Sequence, residues 1–164
     1  MTVLKILQYP NPRLKNKAKP VTHFDAALKA LIDDMIETLL KSKNCAALAA
    51  SQLDIPNPPH ITVINSLEKE SETLCLVNGT ITKRSGETKT TEGCMSVAKI
   101  TRSVRRAAEI SVHSLDRDGK EQNFDADGFL AKCIQHELDH LDGILFIDHL
   151  PRLIKNIAIK DILK

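Results

Sequence analysis

His136 and His140 stand four residues apart in the run His136-Glu137-Leu138-Asp139-His140. Side chains at that spacing share a face only in an α-helix, so the segment must be helical if the two imidazoles are to meet at one point. Two imidazoles with a third ligand make a metal site with an open position, and Glu137 between them is placed to accept a proton from water. The pattern points to metal-assisted hydrolysis; it is also short enough to occur on a solvated helix with no metal. Asp127 or Gly128 is expected to open the helix and Gly143 to end it. Cys133 and Phe129 fall on the same side one and two turns before His136, where they either line a pocket for a substrate side chain or pack in the core.

Cys94, in Glu92-Gly93-Cys94-Met95-Ser96, is the natural third ligand if that segment forms a strand or turn beside the helix. The alternative reading is a buried, inert thiol. A Cys-His-His set leaves room for water, and the backbone N–H after Cys94 then gives Met95 a main-chain role at a developing oxyanion.

The rest of the chain supplies the frame. Leu28, Leu31, Ile32, Met35, Ile36, Leu39 and Leu40 trace an apolar stripe that predicts a helix within residues 25–44. The Pro- and Asn-containing stretch from Asp54 to His60 precedes a strand over Ile61 to Ile64, with further strands at Leu74 to Val77 and Ile110 to Leu115. Asp118-Gly119 marks a hairpin turn before Gln122 to Phe124. Beyond Pro151, the spacing of Leu153, Ile154, Ile157, Ala158 and Ile162 predicts a C-terminal helix carrying Arg152, Lys155, Lys160 and Lys164. The expected fold class is α+β: a single domain over residues 1–164, with mixed or antiparallel β-sheets around a central metal-binding helix and helices towards both termini. A chain of 164 residues with 42% hydrophobic content is long enough for such a core.

Charge and composition exclude several classes. A net charge of +2 with no Trp and one Tyr gives neither the field nor the stacking platform of a nucleic-acid binder, so no sequence-specific nucleic acid is expected. No apolar run approaches the roughly 18 residues of a membrane span. No secretory signal is visible, and the four scattered cysteines suit a reducing compartment, so a cytoplasmic protein with free thiols is expected.

These residues resemble the peptide deformylase family. The family has three signatures in order, and this chain has counterparts to each: Cys45-Ala46-Ala47-Leu48-Ala49-Ala50-Ser51-Gln52, Glu92-Gly93-Cys94-Met95-Ser96 and His136-Glu137-Leu138-Asp139-His140. The opening residues Ile6 to Leu14 and the run Asp125-Ala126-Asp127-Gly128 are also similar to deformylase sequences. The resemblance implies removal of the formyl group from the formylmethionine of newly made polypeptides, with release of formate. It implies Cys94, His136 and His140 around Fe2+, although Cys and His ligands also suit Zn2+, Ni2+ or Co2+. Water activated by the ion would attack the formyl carbon, with Glu137 as general base and then acid. The Gln52 amide and the Met95 N–H would steady the oxyanion, and the backbone near Ala47 would pair with the bound peptide. The implied partners are formylmethionyl peptides and nascent chains. The basic C-terminal helix either makes a transient ribosome contact or is simply solvated.

The chain departs from the family pattern at several points. Cys45 and Ala47 stand where the first signature carries glycines, so added Cβ atoms are expected to strain the loop or crowd the cleft. Ala98-Lys99 replaces a Pro-Gly or Pro-Glu pair, and Thr101 falls where an arginine is usual, with Arg102 adjacent. Two rival readings follow: a zinc peptidase, whose third ligand is usually a later His or Glu, and a relative that binds metal or formylated peptide without turnover.

Overall fold

The computed structural model describes residues 1–65 and 72–164. Helix α1 spans Ala26–Lys41, contains the whole predicted apolar stripe, and buries Leu28, Ile32, Met35 and Leu39 at helical spacing. Its start is set by Asp25, whose carboxylate accepts the Leu28 N–H at 2.9 Å, a cap worth about 1 kcal/mol.

Seven strands follow: β1 (Ala47–Ala49), β2 (Ile61–Asn65), β3 (Thr73–Ser85), β4 (Thr88–Cys94), β5 (Val97–Arg106), β6 (Glu109–Leu115) and β7 (Glu121–Asp127). Five of them form an antiparallel sheet in the order β1-β2-β3-β6-β7, and β4 and β5 form a separate hairpin. Sequence reading finds β2, the start of β3, β6 and part of β7, but not β1 or β5. β1 is only three residues long, and the hydrophobic residues of β5 are separated by Lys99, Arg102 and Arg105. The β6–β7 turn is built as expected: the Asp116 carboxylate accepts the Asp118 and Lys120 N–H groups, and Gly119 takes φ 84°.

Alternation along the strands sends side chains to two cores. Leu48, Ile61, Val63, Cys75 and Val77 pack against α1, whereas Ala47, Ala49, Ile64, Leu76, Ile110 and Val112 pack against the second helix, α2 (Gly128–Leu141). Helix α2 is therefore central, one stripe on the sheet and the other turned towards the β4–β5 hairpin. A third cluster joins Val97, Ile100 and Val104 of β5 to Phe146, Ile147 and Ala158, and so seats helix α3 (Arg152–Ile162) behind the hairpin.

Gly143 stops α2. At φ 76° its N–H bonds the His140 carbonyl at 3.0 Å while the Ile144 N–H bonds that of Asp139 at 2.9 Å, the paired bonds of a Schellman cap. A Cβ at this position would collide with the Lys15 carbonyl. No described helix is long and apolar enough to cross a membrane.

Candidate active site

The helical face predicted from the sequence turns His136 and His140 towards the tip of the hairpin, where Cys94 sits at the end of β4. His140 Nε2 lies 3.2 Å from His136 Nε2 and 3.2 Å from Cys94 Sγ. The three ligand atoms lie within 4.8 Å of one another. Ligands about 2.0–2.3 Å from one ion in a tetrahedron stand roughly 3.3–3.8 Å apart, so the cluster has the size of a divalent-metal site.

Its electrostatics agree. Burial opposes the charging of His136, but hydrogen bonds to Cys94 and Glu92, together with the charge of Glu137, prevail and push its pKa up to about 10. A site that draws a proton so strongly onto its ligands stabilises positive charge at its centre, which a bound cation would satisfy. Burial and the positive His136 hold His140 well below the usual histidine range. His140 is thus a neutral ligand, and its buried Nδ1 finds no hydrogen-bond partner among the described residues.

The surroundings orient each ligand. Glu92 Oε1 is 2.8 Å from His136 Nδ1, which holds a proton on Nδ1 and makes Nε2 the nitrogen that would give up its proton to a metal. Glu92 is fully buried and is gripped through both oxygens by Arg106, Nε at 2.9 Å and Nη2 at 2.8 Å. Despite its burial, the Arg106, His136 and Thr90 hydrogen bonds hold Glu92 far below the usual carboxylate range. Arg106 also bonds Asp139, which receives His149 Nε2 at 2.7 Å. The Ser96 N–H and the Gln52 Nε2 lie 3.4 and 3.5 Å from Cys94 Sγ and donate to it. The Ser51 hydroxyl donates to the His140 carbonyl at 2.8 Å and ties the first signature to the end of α2.

Glu137 lies beside the ligands, buried, with one carboxylate oxygen unpartnered among the described residues. Burial lifts its pKa to about 7, the positive His136 opposing and Glu92 reinforcing the shift. A carboxyl group that exchanges its proton near neutrality suits a role in which a proton is taken and returned.

A cleft of about 590 Å³ opens from this cluster. Ala47, Gln52, Met95, Phe129, Cys133, His136 and Glu137 all line it, so the candidate substrate-facing residues come together with the ligands and Glu137. Phe129 stands at the mouth, 42% exposed, while Cys133 is buried and belongs to the sheet core as well as the wall. Cys45 and Ala47 have ordinary backbone: the left-handed residue of this loop is Asn44, at φ 57°, a residue type that tolerates it. The expected strain is therefore absent, and the Cys45 thiol is spent on the Ala47 carbonyl at 3.4 Å. Arg102 points away from the cleft to Asp161 on α3, at 2.9 Å, and does not stand in for the usual arginine.

Arg106, Asp139 as its partner, and His149 were not singled out by the sequence reading. The available signal was weak: Glu92 lies two residues before the ligand Cys94, and a buried acid there requires a cation from elsewhere.

A partly exposed thiol and two buried imidazoles beside a carboxyl group of near-neutral pKa, on an α+β frame, define the class as a metal-dependent hydrolase. The polypeptide deformylase family profile matches residues 3–156. Peptide deformylase 1 of Coxiella burnetii is 57% identical over 152 residues, covering 92% of this chain and 89% of its own. The peptide deformylase of Nitrosococcus oceani is 47% identical over 93% of this chain and 90% of its own. The crystal structure of a Legionella pneumophila peptide deformylase superposes with a TM-score of 0.91 at 37% identity, over 98% of this chain and 94% of that one. That of the Ehrlichia chaffeensis enzyme in complex with actinonin gives 0.87 at 35% identity, over 98% and 95%. The chain belongs to the polypeptide deformylase family.

Proposed function

We propose that residues 1–164 act as one catalytic unit that hydrolyses the N-formyl group of formylmethionyl peptides and nascent chains, releasing formate and a free amine. The observation that carries this is the convergence of Cys94, His136 and His140 with the near-neutral Glu137 in one cleft. A divalent ion held by these three ligands supplies Lewis acidity and lowers the pKa of water; we assign Fe2+, with Zn2+, Ni2+ and Co2+ as chemically compatible substitutes.

Glu137 takes a proton from the attacking water and returns it to the amine nitrogen as the C–N bond breaks. The Gln52 amide and the Met95 N–H steady the charge that develops on the formyl oxygen, a contact of about 3–4 kcal/mol in comparable sites. Gln52 is suited to this because its Oε1 is held by the Ala49 N–H at 2.9 Å, so its amide nitrogen faces Cys94 and Ser96. The methionine side chain is assigned to the wall made by Phe129 and Cys133, and the peptide backbone to the edge at Ala47.

We place the enzyme in the cytoplasm, where such chains emerge. A transient ribosome contact through α3 would rest on Arg152 and Lys160, since Lys155 and Lys164 are paired with Asp148 and Asp161.

The test is formate release from a formyl-Met-peptide by protein prepared without oxygen and loaded separately with iron, nickel and zinc, beside Glu137→Ala. Turnover that vanishes in Glu137→Ala is expected. Metal uptake without turnover would replace this reading with a binding-only relative, and cleavage of unformylated peptides with a peptidase.

A further inference from the structure

Two cations line the cleft: Lys99 on β5 and Lys132 on α2. Among the described lining residues the one carboxylate is Glu137, which is buried and committed to the reaction. We propose that Lys99 and Lys132 select formyl-peptides that carry a carboxylate downstream of the formylmethionine. The proposal rests on the deformylase reading and adds a substrate class to it.

Lys99 is the more telling residue. Its φ is 76°, in the left-handed region where glycine is the relaxed choice. The other left-handed residues with side chains, among those described, are Asn44, Asn57 and Asn78, all of a type that tolerates this backbone. Lys99 is exposed, so its long side chain gains no burial in exchange for the strain. A strained residue kept on the wall of a functional cleft calls for a role there, and what lysine offers over glycine is its ammonium.

Lys132 is held in place for the same task. Its Nζ donates to the Thr91 carbonyl at 2.8 Å and lies 5.1 Å from the centre of the Phe129 ring, which fixes the ammonium at the mouth and leaves donors for a ligand. Among the described residues, no carboxylate pairs with either lysine, whereas the neighbouring Arg102 and Arg105 are paired with Asp161 and Glu87. Among the described residues the cleft thus carries two positive charges with no carboxylate paired to them, and a substrate carboxylate is the complementary group.

The carboxylate has two possible sources, an acidic side chain or the peptide's own C-terminus, and the assay separates them. Four substrates suffice: formyl-Met-Ala-Glu-Ala, formyl-Met-Ala-Gln-Ala and formyl-Met-Ala-Lys-Ala as C-terminal amides, and the Gln peptide as free acid. The expected result is a preference of roughly 5- to 10-fold in kcat/KM for a carboxylate-bearing peptide over the Lys amide at low salt, seen mainly in KM, and largely lost in 0.5 M KCl. The Glu amide leading assigns the side chain; the Gln acid leading assigns the terminus. Lys99→Gly is expected to reduce the preference while raising the thermal midpoint, because glycine relieves the backbone; a merely structural lysine would not produce that pairing. Lys99→Met and Lys132→Gln should each reduce it too. Equal turnover of all four peptides overturns this proposal and leaves the deformylase reading intact, whereas no turnover of the neutral Gln amide overturns the deformylase reading itself.

Discussion

The Nδ1 of His136 lies 2.8 Å from Oε1 of Glu92, a carboxylate with no exposed surface. That contact decides which imidazole nitrogen is free to bind metal, and through Arg106 it joins the site to the inner face of β5. Replacing Glu92 with Gln keeps the shape but leaves the buried Arg106 with Asp139 as its remaining counter-charge. Metal affinity should fall about 10- to 100-fold, and stability by roughly 1–3 kcal/mol. Chelator competition and urea denaturation measure the two effects. Unchanged affinity would show that Glu92 serves only the fold.

Gly143 combines a left-handed backbone with a carbonyl in the way of any Cβ. Gly143→Ala should cost roughly 2–3 kcal/mol, because the cap after His140 must open or the Lys15 segment must move. A loss of unfolding free energy under about 0.5 kcal/mol in urea would contradict this account of how α2 ends.

Burial pushes the thiols of Cys45, Cys75 and Cys133 up to about 12 from an ordinary value of 9.0. Between these values the unfolded chain has lost thiol protons that the folded chain retains, so the folded state binds more protons and stability falls as pH rises. The contribution is fully present below pH 9 and is lost towards pH 12. Urea midpoints across pH 8 to 11 should decline, and less steeply in Cys75→Ala, whose thiol lies in the α1 core away from the cleft. An identical slope in that variant would assign the decline to other groups.

The four cysteines should differ in reactivity. Cys94 is partly exposed and receives the Ser96 N–H and the Gln52 amide, while Cys45, Cys75 and Cys133 are held as protonated thiols at neutral pH. In metal-stripped protein, iodoacetamide should modify Cys94 first, and added Zn2+ should protect it. Peptide mass mapping reads the order directly; Cys133 or Cys45 reacting ahead of Cys94 would refute it.

Legibility in the sequence followed the range of each interaction. The stripe of α1, the face of α2 carrying His136, Glu137 and His140, and the Asp118-Gly119 turn are local patterns, and each appears in the fold as read. Cys94 as third ligand required only that its segment lie beside the helix, and the β4–β5 hairpin provides this. β5 is less legible because Lys99, Arg102 and Arg105 interrupt its hydrophobic alternation, and the strand exists by pairing with β4. For Cys45 and Ala47 the dihedrals answer the expected strain, since the left-handed turn falls one residue earlier, on Asn44, while both residues line the cleft.

What the sequence by itself determined was the identity of the ligands and the helix that presents two of them, because a spacing of four residues is a covalent fact that only one local geometry turns into a site. What the tertiary structure decided was the company those ligands keep. Of the adjacent arginines of β5, Arg105 faces outward to Glu87 while Arg106 is buried against Glu92, and Arg102 turns to α3. Nothing in the composition of that strand separates them. The choice rests on hairpin register and on packing against α2, since a charge enters the interior only where a partner distant in sequence has been brought to meet it.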